Sequence, residues 1–230
     1  MDKAKLYKAI FACCDKEKHS IHPILKGINH QLAGNQWVLG ASDGYVAVQA
    51  YLPATELPED FNSLVKAPDG ATLKDGMFPS IPGITPNGEP KHKAIFNIKS
   101  LKELAKAVEK EPNGLPAKWK QVNRLILNGV CLNARFLQKA LTVMGLYGDK
   151  VTVEAHVMRG ATDERLAITK LRVSGTETYC LIWPAKPWDD SDARLIGIED
   201  GKVDYNYSEA CELVAKQKVK KPEKPKAWYE

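Results

Sequence analysis

A helix-period stretch followed by strand-length apolar runs occurs more than once along this chain, and that recurrence limits its architecture more than any other feature. Residues 3–14 place Leu6, Ala9, Ile10, Cys13 and Cys14 on one side of a first helix. Residues 22–53 (HPILKGINHQLAGNQWVLGASDGYVAVQAYLP) then hold two or three apolar runs, separated by turn signals at Ala33-Gly34-Asn35 and Ser42-Asp43-Gly44. Residues 54–90 are rich in Pro and Gly, and FPSIPGITP (residues 78–86) reads as an extended connector.

Beyond the connector the pattern resumes. A strand at 94–98 (AIFNI) leads to a second helix, whose Ser100 and Glu103 fit a capping box and which ends before Pro112-Asn113-Gly114. A strand at 122–127 precedes a third helix at 134–145, with Asn133 as its cap. Three strand-like runs follow: VTVEAHVM, RLAITKLRV and TETYCLIWP. Helices and strands in separate sets predict an α+β fold built from a repeated helix-plus-strands unit. The expected divisions are 1–90, 91–186, and an extension at 187–230 with an acidic loop, a short helix and a Lys/Pro-rich disordered tail.

The helices carry the chemical signal. At about 100° per residue, Lys102, Lys106 and Lys110 form one stripe of the second helix with Lys99 alongside, opposite Leu101, Leu104, Ala105 and Val108. In the third helix Arg135 and Lys139 oppose Leu137, Ala140, Leu141 and Met144; in the first, Lys5 and Lys8 oppose Leu6, Ile10 and Cys14. Lysine is also the common solvent residue on any helix, and Glu103 and Glu109 dilute the second stripe. Three converging basic faces would neutralise phosphates without reading sequence, which is non-specific DNA binding. The net charge of +5, from 33 basic and 28 acidic side chains, permits such a partner.

Other classes find little support. No apolar run approaches the roughly 20 residues of a membrane helix, and the charged first residues are expected to be no signal peptide. Five cysteines, Cys13, Cys14, Cys131, Cys180 and Cys211, are odd in number and hold no C-x-x-C pair, so they read as reduced core thiols of a cytoplasmic protein. Phosphate-loop, dinucleotide and nucleophile-elbow motifs are absent. His19 and His22 could form a ligand pair, Asp189, Asp190 and Asp192 could hold a cation, and Cys13 or Cys14 beside Lys16 and Lys18 could be activated. The expectation for each is structural: loop histidines, a solvated acidic loop, core thiols. No enzyme activity, cofactor or metal is expected.

Four segments resemble the bacterial DNA polymerase III beta sliding clamps. Ala41-Ser42-Asp43-Gly44-Tyr45-Val46-Ala47-Val48 is similar to the family's A-T-D-G-H-R-L-A signature, and HPILKGI resembles the segment after a domain's first helix. GMFPSIPGITP resembles the linker between the middle and last domains. FLQKALTVMG, VTVEA and YCLIWPAK resemble the closing helix, strands and end of a clamp. The resemblance covers residues 1–186. It implies antiparallel sheets outside and basic helices lining a hole around duplex DNA, touched through its phosphates. Two clamp-like domains per chain would close a six-domain ring as a homotrimer.

The resemblance also implies a pocket that grips a short peptide motif of a polymerase or other replication or repair protein. Carried over, its residues are Ser42, Gly44, Tyr45, Val46 and Ala47 from the turn segment, Pro79, Gly83 and Ile84 from the linker, and Leu181 and Trp183 from the last strand. The expected function is a sliding-clamp-like processivity factor. One alternative is a clamp-fold monomeric binding module without a ring, favoured by the short first unit and the 187–230 extension. The other is an unrelated enzyme using Cys13, His22 or the Asp189–Asp192 cluster.

Overall fold

A computed structural model describes residues 2–17, 20–109, 124–127, 130–157 and 167–185. His19, Lys110, Asp189, Asp190, Asp192, Cys211 and the expected extension lie outside the described residues.

Helix α1 (Lys3–Phe11) is capped by Asp2, whose Oδ1 accepts the N–H groups of Ala4 and Lys5 at 3.0 and 3.2 Å. It is shorter than expected: Cys13 and Cys14 follow it in a turn, still buried. Strands β1 (Ile28–Ala33), β2 (Gln36–Ser42) and β3 (Val46–Pro53) form an antiparallel meander. Gly34 supplies the positive φ (60°) that the two-residue β1–β2 loop needs at its first position.

The connector is more structured than its composition suggests. It contains a small hairpin, β4 (Val65–Lys66) with β5 (Thr72–Leu73), and a helical turn α2 (Ile81–Ile84). Ser80 Oγ accepts the Gly83 N–H at 3.2 Å, and Pro82 sits in the first turn, where its missing N–H costs nothing. The prolines that suggested an extended connector therefore start a helix.

Strand β6 (His92–Asn97) feeds α3 (Ile98–Glu109) directly. The cap is Asn97, not the expected Ser100: its Oδ1 accepts the Ser100 N–H at 3.1 Å, so Ser100 lies inside the first turn. The single strand expected before the third helix is a hairpin of β7 (Arg124–Leu127) and β8 (Val130–Asn133). Asn133 caps α4 (Ala134–Met144) as expected, its Oδ1 accepting the Arg135 N–H at 2.9 Å. Strands β9 (Lys150–Val157), β10 (Ala167–Arg172) and β11 (Tyr179–Ile182) complete the fold.

Nine strands join in one antiparallel sheet ordered β5-β4-β1-β2-β3-β11-β10-β9-β6, with β7-β8 separate. The two halves of the chain meet at β3–β11, where Val46, Ala47, Val48 and Gln49 face Ile182, Leu181, Cys180 and Tyr179. Period-2 alternation splits the side chains between two faces. Trp37, Leu39, Val46, Val48, Val153, Cys180 and Ile182 share one core with Leu6, Ile10, Leu104, Leu137, Leu141 and Met144 of the helices. Ala47, Tyr179 and Leu181 point the other way and pack with Ile81 of α2. The protein is an α+β layer structure with three helices on one face of its sheet. No helix among the described residues is long and apolar enough to cross a membrane.

Candidate nucleic-acid and partner interfaces

On the helical face, α4 packs against both α1 and α3, and Gln138 Nε2 donates to the Ala105 carbonyl at 3.1 Å. Lys5, Lys8, Lys99, Lys106 and Arg135 are exposed and Lys102 is half-buried. Burial and the neighbouring Lys106 charge push the Lys102 ammonium below its usual range. Lys5 also pairs with Asp2 at 3.5 Å across exposed side chains, a weak tie.

Lys139 behaves differently. Its Nζ is held by Asp43 Oδ2 in an ion pair whose side chains are only 16% and 9% exposed, and it lies 5.6 Å from the centre of the Phe136 ring. Asp43 also builds the β2–β3 turn, its Oδ1 accepting the N–H groups of Tyr45 (2.9 Å) and Val46 (2.8 Å). Ser42 Oγ accepts the Gly44 N–H at 3.1 Å. The Tyr45 ring, 60% exposed, stacks on Phe136 at 5.1 Å and 8°. Its carbonyl accepts the Trp183 N–H at 2.9 Å, tying the end of β11 to the turn.

On the outer face, Ala47 and Leu181 form a small cluster with Ile81 and Tyr179, with Phe78, Ile168 and Trp183 packed around it. The Thr85 hydroxyl, with one hydrogen to give, donates to either the Ile81 carbonyl (2.8 Å) or the Tyr179 oxygen (2.9 Å), and Tyr179 donates to Gln49 Oε1 at 3.1 Å. Burial pushes the Tyr179 phenol above its usual range. A Cβ at Gly40 would lie 3.1 Å from Ile81 Cδ1 and 3.2 Å from Phe78 Cε1, so glycine lets the 78–82 segment lie close on the sheet.

The expected pocket residues thus divide. Ala47, Leu181 and Trp183 gather at the outer cluster. Gly44 and Tyr45 form an exposed rim, Gly83 and Ile84 stand in the exposed turn of α2, and Ser42 supports the turn. Val46 lies apart from these: it faces the helices and is fully buried among them, because it neighbours Ala47 in a strand. Two cavities flank Phe78. One of about 150 Å³ is bordered by Pro79, Gln49, Asn29 and Gln31, and one of about 440 Å³ by Asn29, Gln31, Lys74 and Met77. Sequence reasoning missed Asn29 and Gln31; their signal was the alternation of β1, which sets them opposite buried Ile28 and His30.

Cys13 and Cys14 are buried, and burial pushes the Cys13 thiol up to about 12, the reverse of an activated nucleophile. His22 is exposed. Among the described residues no three His, Cys, Asp or Glu side chains are grouped to hold a metal.

No protein-family model matches the chain, and no curated protein does. Solved structures do. The DnaN sliding clamp of Bartonella birtlesii, DNA polymerase III subunit beta bound to griselimycin, superposes with a TM-score of 0.58 at 14% identity, over 80% of this chain and 64% of the clamp. The DNA polymerase sliding clamp of Pseudomonas aeruginosa gives 0.60 at 13% identity, over 81% and 66%. That of Bacillus subtilis gives 0.55 at 15%, over 80% and 62%. The chain has the sliding-clamp fold. It spans less than two thirds of the length of each of these clamps.

Proposed function

We propose that this clamp-fold chain binds duplex DNA without sequence preference through its helical face and holds a short apolar segment of a replication or repair protein on its outer face, acting as a tether and not as an enzyme. One observation carries this reading: three amphipathic helices lie on one face of a single antiparallel sheet, each presenting cations away from the core. Lys5, Lys8, Lys99, Lys102, Lys106 and Arg135 are the proposed phosphate contacts, and Lys110 continues the α3 stripe in sequence. The outer site is Trp183 with the Tyr45 and Ile84 rims, laid over the buried Ala47–Leu181 pair. Residues 1–90 and 91–186 act as two clamp-type units, and the reduced thiols suit the cytoplasm.

A second reading, a module that works without a ring, is favoured by the β3–β11 joint. A ring made by repeating that joint needs a free β3-type edge and a free β11-type edge on every copy. Here each is paired with the other, and among the described residues the sheet ends at β5 and β6.

The experiment is fluorescence anisotropy of the full chain on two duplexes of unrelated sequence across a salt series, beside light scattering. The reading expects equal affinities and a log–log salt slope that flattens by about 0.9 per lost contact in a Lys102, Lys106, Arg135→Ala variant. An unchanged slope removes the helical face from DNA binding. A mass of three times 25.5 kDa supports the ring, and a monomer at all concentrations supports the module. Griselimycin, the ligand of the Bartonella clamp, is a probe whose binding, if any, Trp183→Ala assigns to the outer face or excludes from it.

A further inference from the structure

Lys139 follows Arg135 by four residues on α4, so the two share a helix face. Arg135 is exposed, whereas Lys139 is drawn sideways to Asp43, a residue of the β2–β3 turn. One carboxylate thereby serves both interfaces. Asp43 Oδ1 closes the turn on the N–H groups of Tyr45 and Val46, and Oδ2 holds the cation of the helix. The stack of Tyr45 on Phe136 repeats the link, and the Trp183 N–H to Tyr45 bond extends it to the end of β11.

An ammonium neutralised by a carboxylate does not act as a free counter-charge for phosphate. A lysine stem is long and turns readily once its partner moves. We infer that Asp43 holds Lys139 in reserve: once the Asp43 carboxylate is neutralised or turned away, the Lys139 ammonium joins Arg135 on DNA phosphate. Lys139 is a conditional DNA contact and Asp43 its positioning residue. This inference rests on the proposed DNA-binding face.

The test is Asp43→Asn in the full chain, which keeps an Oδ1 acceptor for the turn and removes the charge facing Lys139. Without DNA, acetylation of Lys139 by an N-hydroxysuccinimide ester, mapped by mass spectrometry, is expected to speed up several-fold while exposed Lys106 is unchanged. On duplex DNA the salt slope is expected to steepen by about 0.9, one phosphate contact, and to return to the wild-type value in Asp43→Asn with Lys139→Gln. Asp43→Ser serves as the second variant where Asn disturbs folding.

Equal acetylation rates in wild type and variant overturn the hold of Asp43 on Lys139. Faster acetylation with an unchanged slope, in a protein that binds DNA, overturns the reserve. Absence of any DNA binding by wild type overturns the proposed function, and the phosphate half of this inference with it. The acetylation rates then still decide whether Asp43 holds Lys139.

Discussion

Leu181 of β11 lies directly opposite Ala47 of β3, one rung of the ladder that carries the sheet from the first half of the chain into the second. The adjacent rungs, Val46 with Ile182 and Val48 with Cys180, are buried beneath the helices. Both faces of this seam are therefore packed, and the helical core includes residues from both halves. The expected outcome is one cooperative unfolding transition, seen identically by far-UV circular dichroism and tryptophan fluorescence. Leu181→Ala should move both probes together, by about 2–5 kcal/mol for a buried leucine. Two separated transitions, with one unmoved, would show that 1–90 and 91–186 fold independently.

What was legible in the sequence follows from range. Asn133 and Gly34 act on residues within one turn of themselves, and both behave as read. The misread cap was also local: Asn97 and Ser100 are both good acceptors, and the strand runs straight into the helix, so the earlier one caps it. Resemblance located the Tyr45–Ala47 segment but not the side each residue faces, so Val46 was grouped with Ala47 although neighbours in a strand point apart. The helical wheel put Lys139 beside Arg135. It had no means of showing that Asp43, 96 positions away, would take the ammonium.

Acid sensitivity should arise in part at His30. The ring is buried, its Nδ1 lies 3.2 Å from the Leu64 carbonyl and must donate to it, and Nε2 accepts from the Tyr7 hydroxyl at 2.8 Å. Burial holds His30 below its ordinary 6.5 and pushes Tyr7 up to about 12. A folded histidine that resists protonation makes folding favourable above 6.5, and that contribution fades as pH falls from 6.5 toward the folded value. Urea midpoints measured from pH 8 to pH 5 should fall more gently in His30→Gln, by at most about 1.4 kcal/mol per pH unit. Identical pH slopes would assign the acid response to other groups, His156 first, which burial also lowers.

Thiol reactivity offers a direct check on the enzyme alternative. Cys13, Cys14, Cys131 and Cys180 are buried, and burial raises the Cys13, Cys14 and Cys180 thiols. Iodoacetamide at pH 8, followed by peptide mapping, should leave all four unlabelled in the native protein and modify them once it is unfolded in urea. Rapid native labelling of Cys13 or Cys14 would revive an activated thiol at the end of α1.

The outer face can be separated from the core by contrasting two aspartates. Ile84, 38% exposed at the end of α2, can turn a carboxylate into water, whereas Leu181 is fully buried. Ile84→Asp should keep its stability within about 0.5 kcal/mol, as exposed substitutions do, while Leu181→Asp places an unpaired charge in the seam and unfolds the protein. Trp183→Ala removes the ring but keeps the backbone bond to Tyr45. If the proposed outer site holds and takes griselimycin, calorimetric titration should show binding to wild type and loss in both Ile84→Asp and Trp183→Ala. Binding retained by both variants would move the ligand off this face. Loss of binding together with loss of fold would instead return Ile84 and Trp183 to the core, leaving the cavities beside Phe78 as the face's remaining open surface.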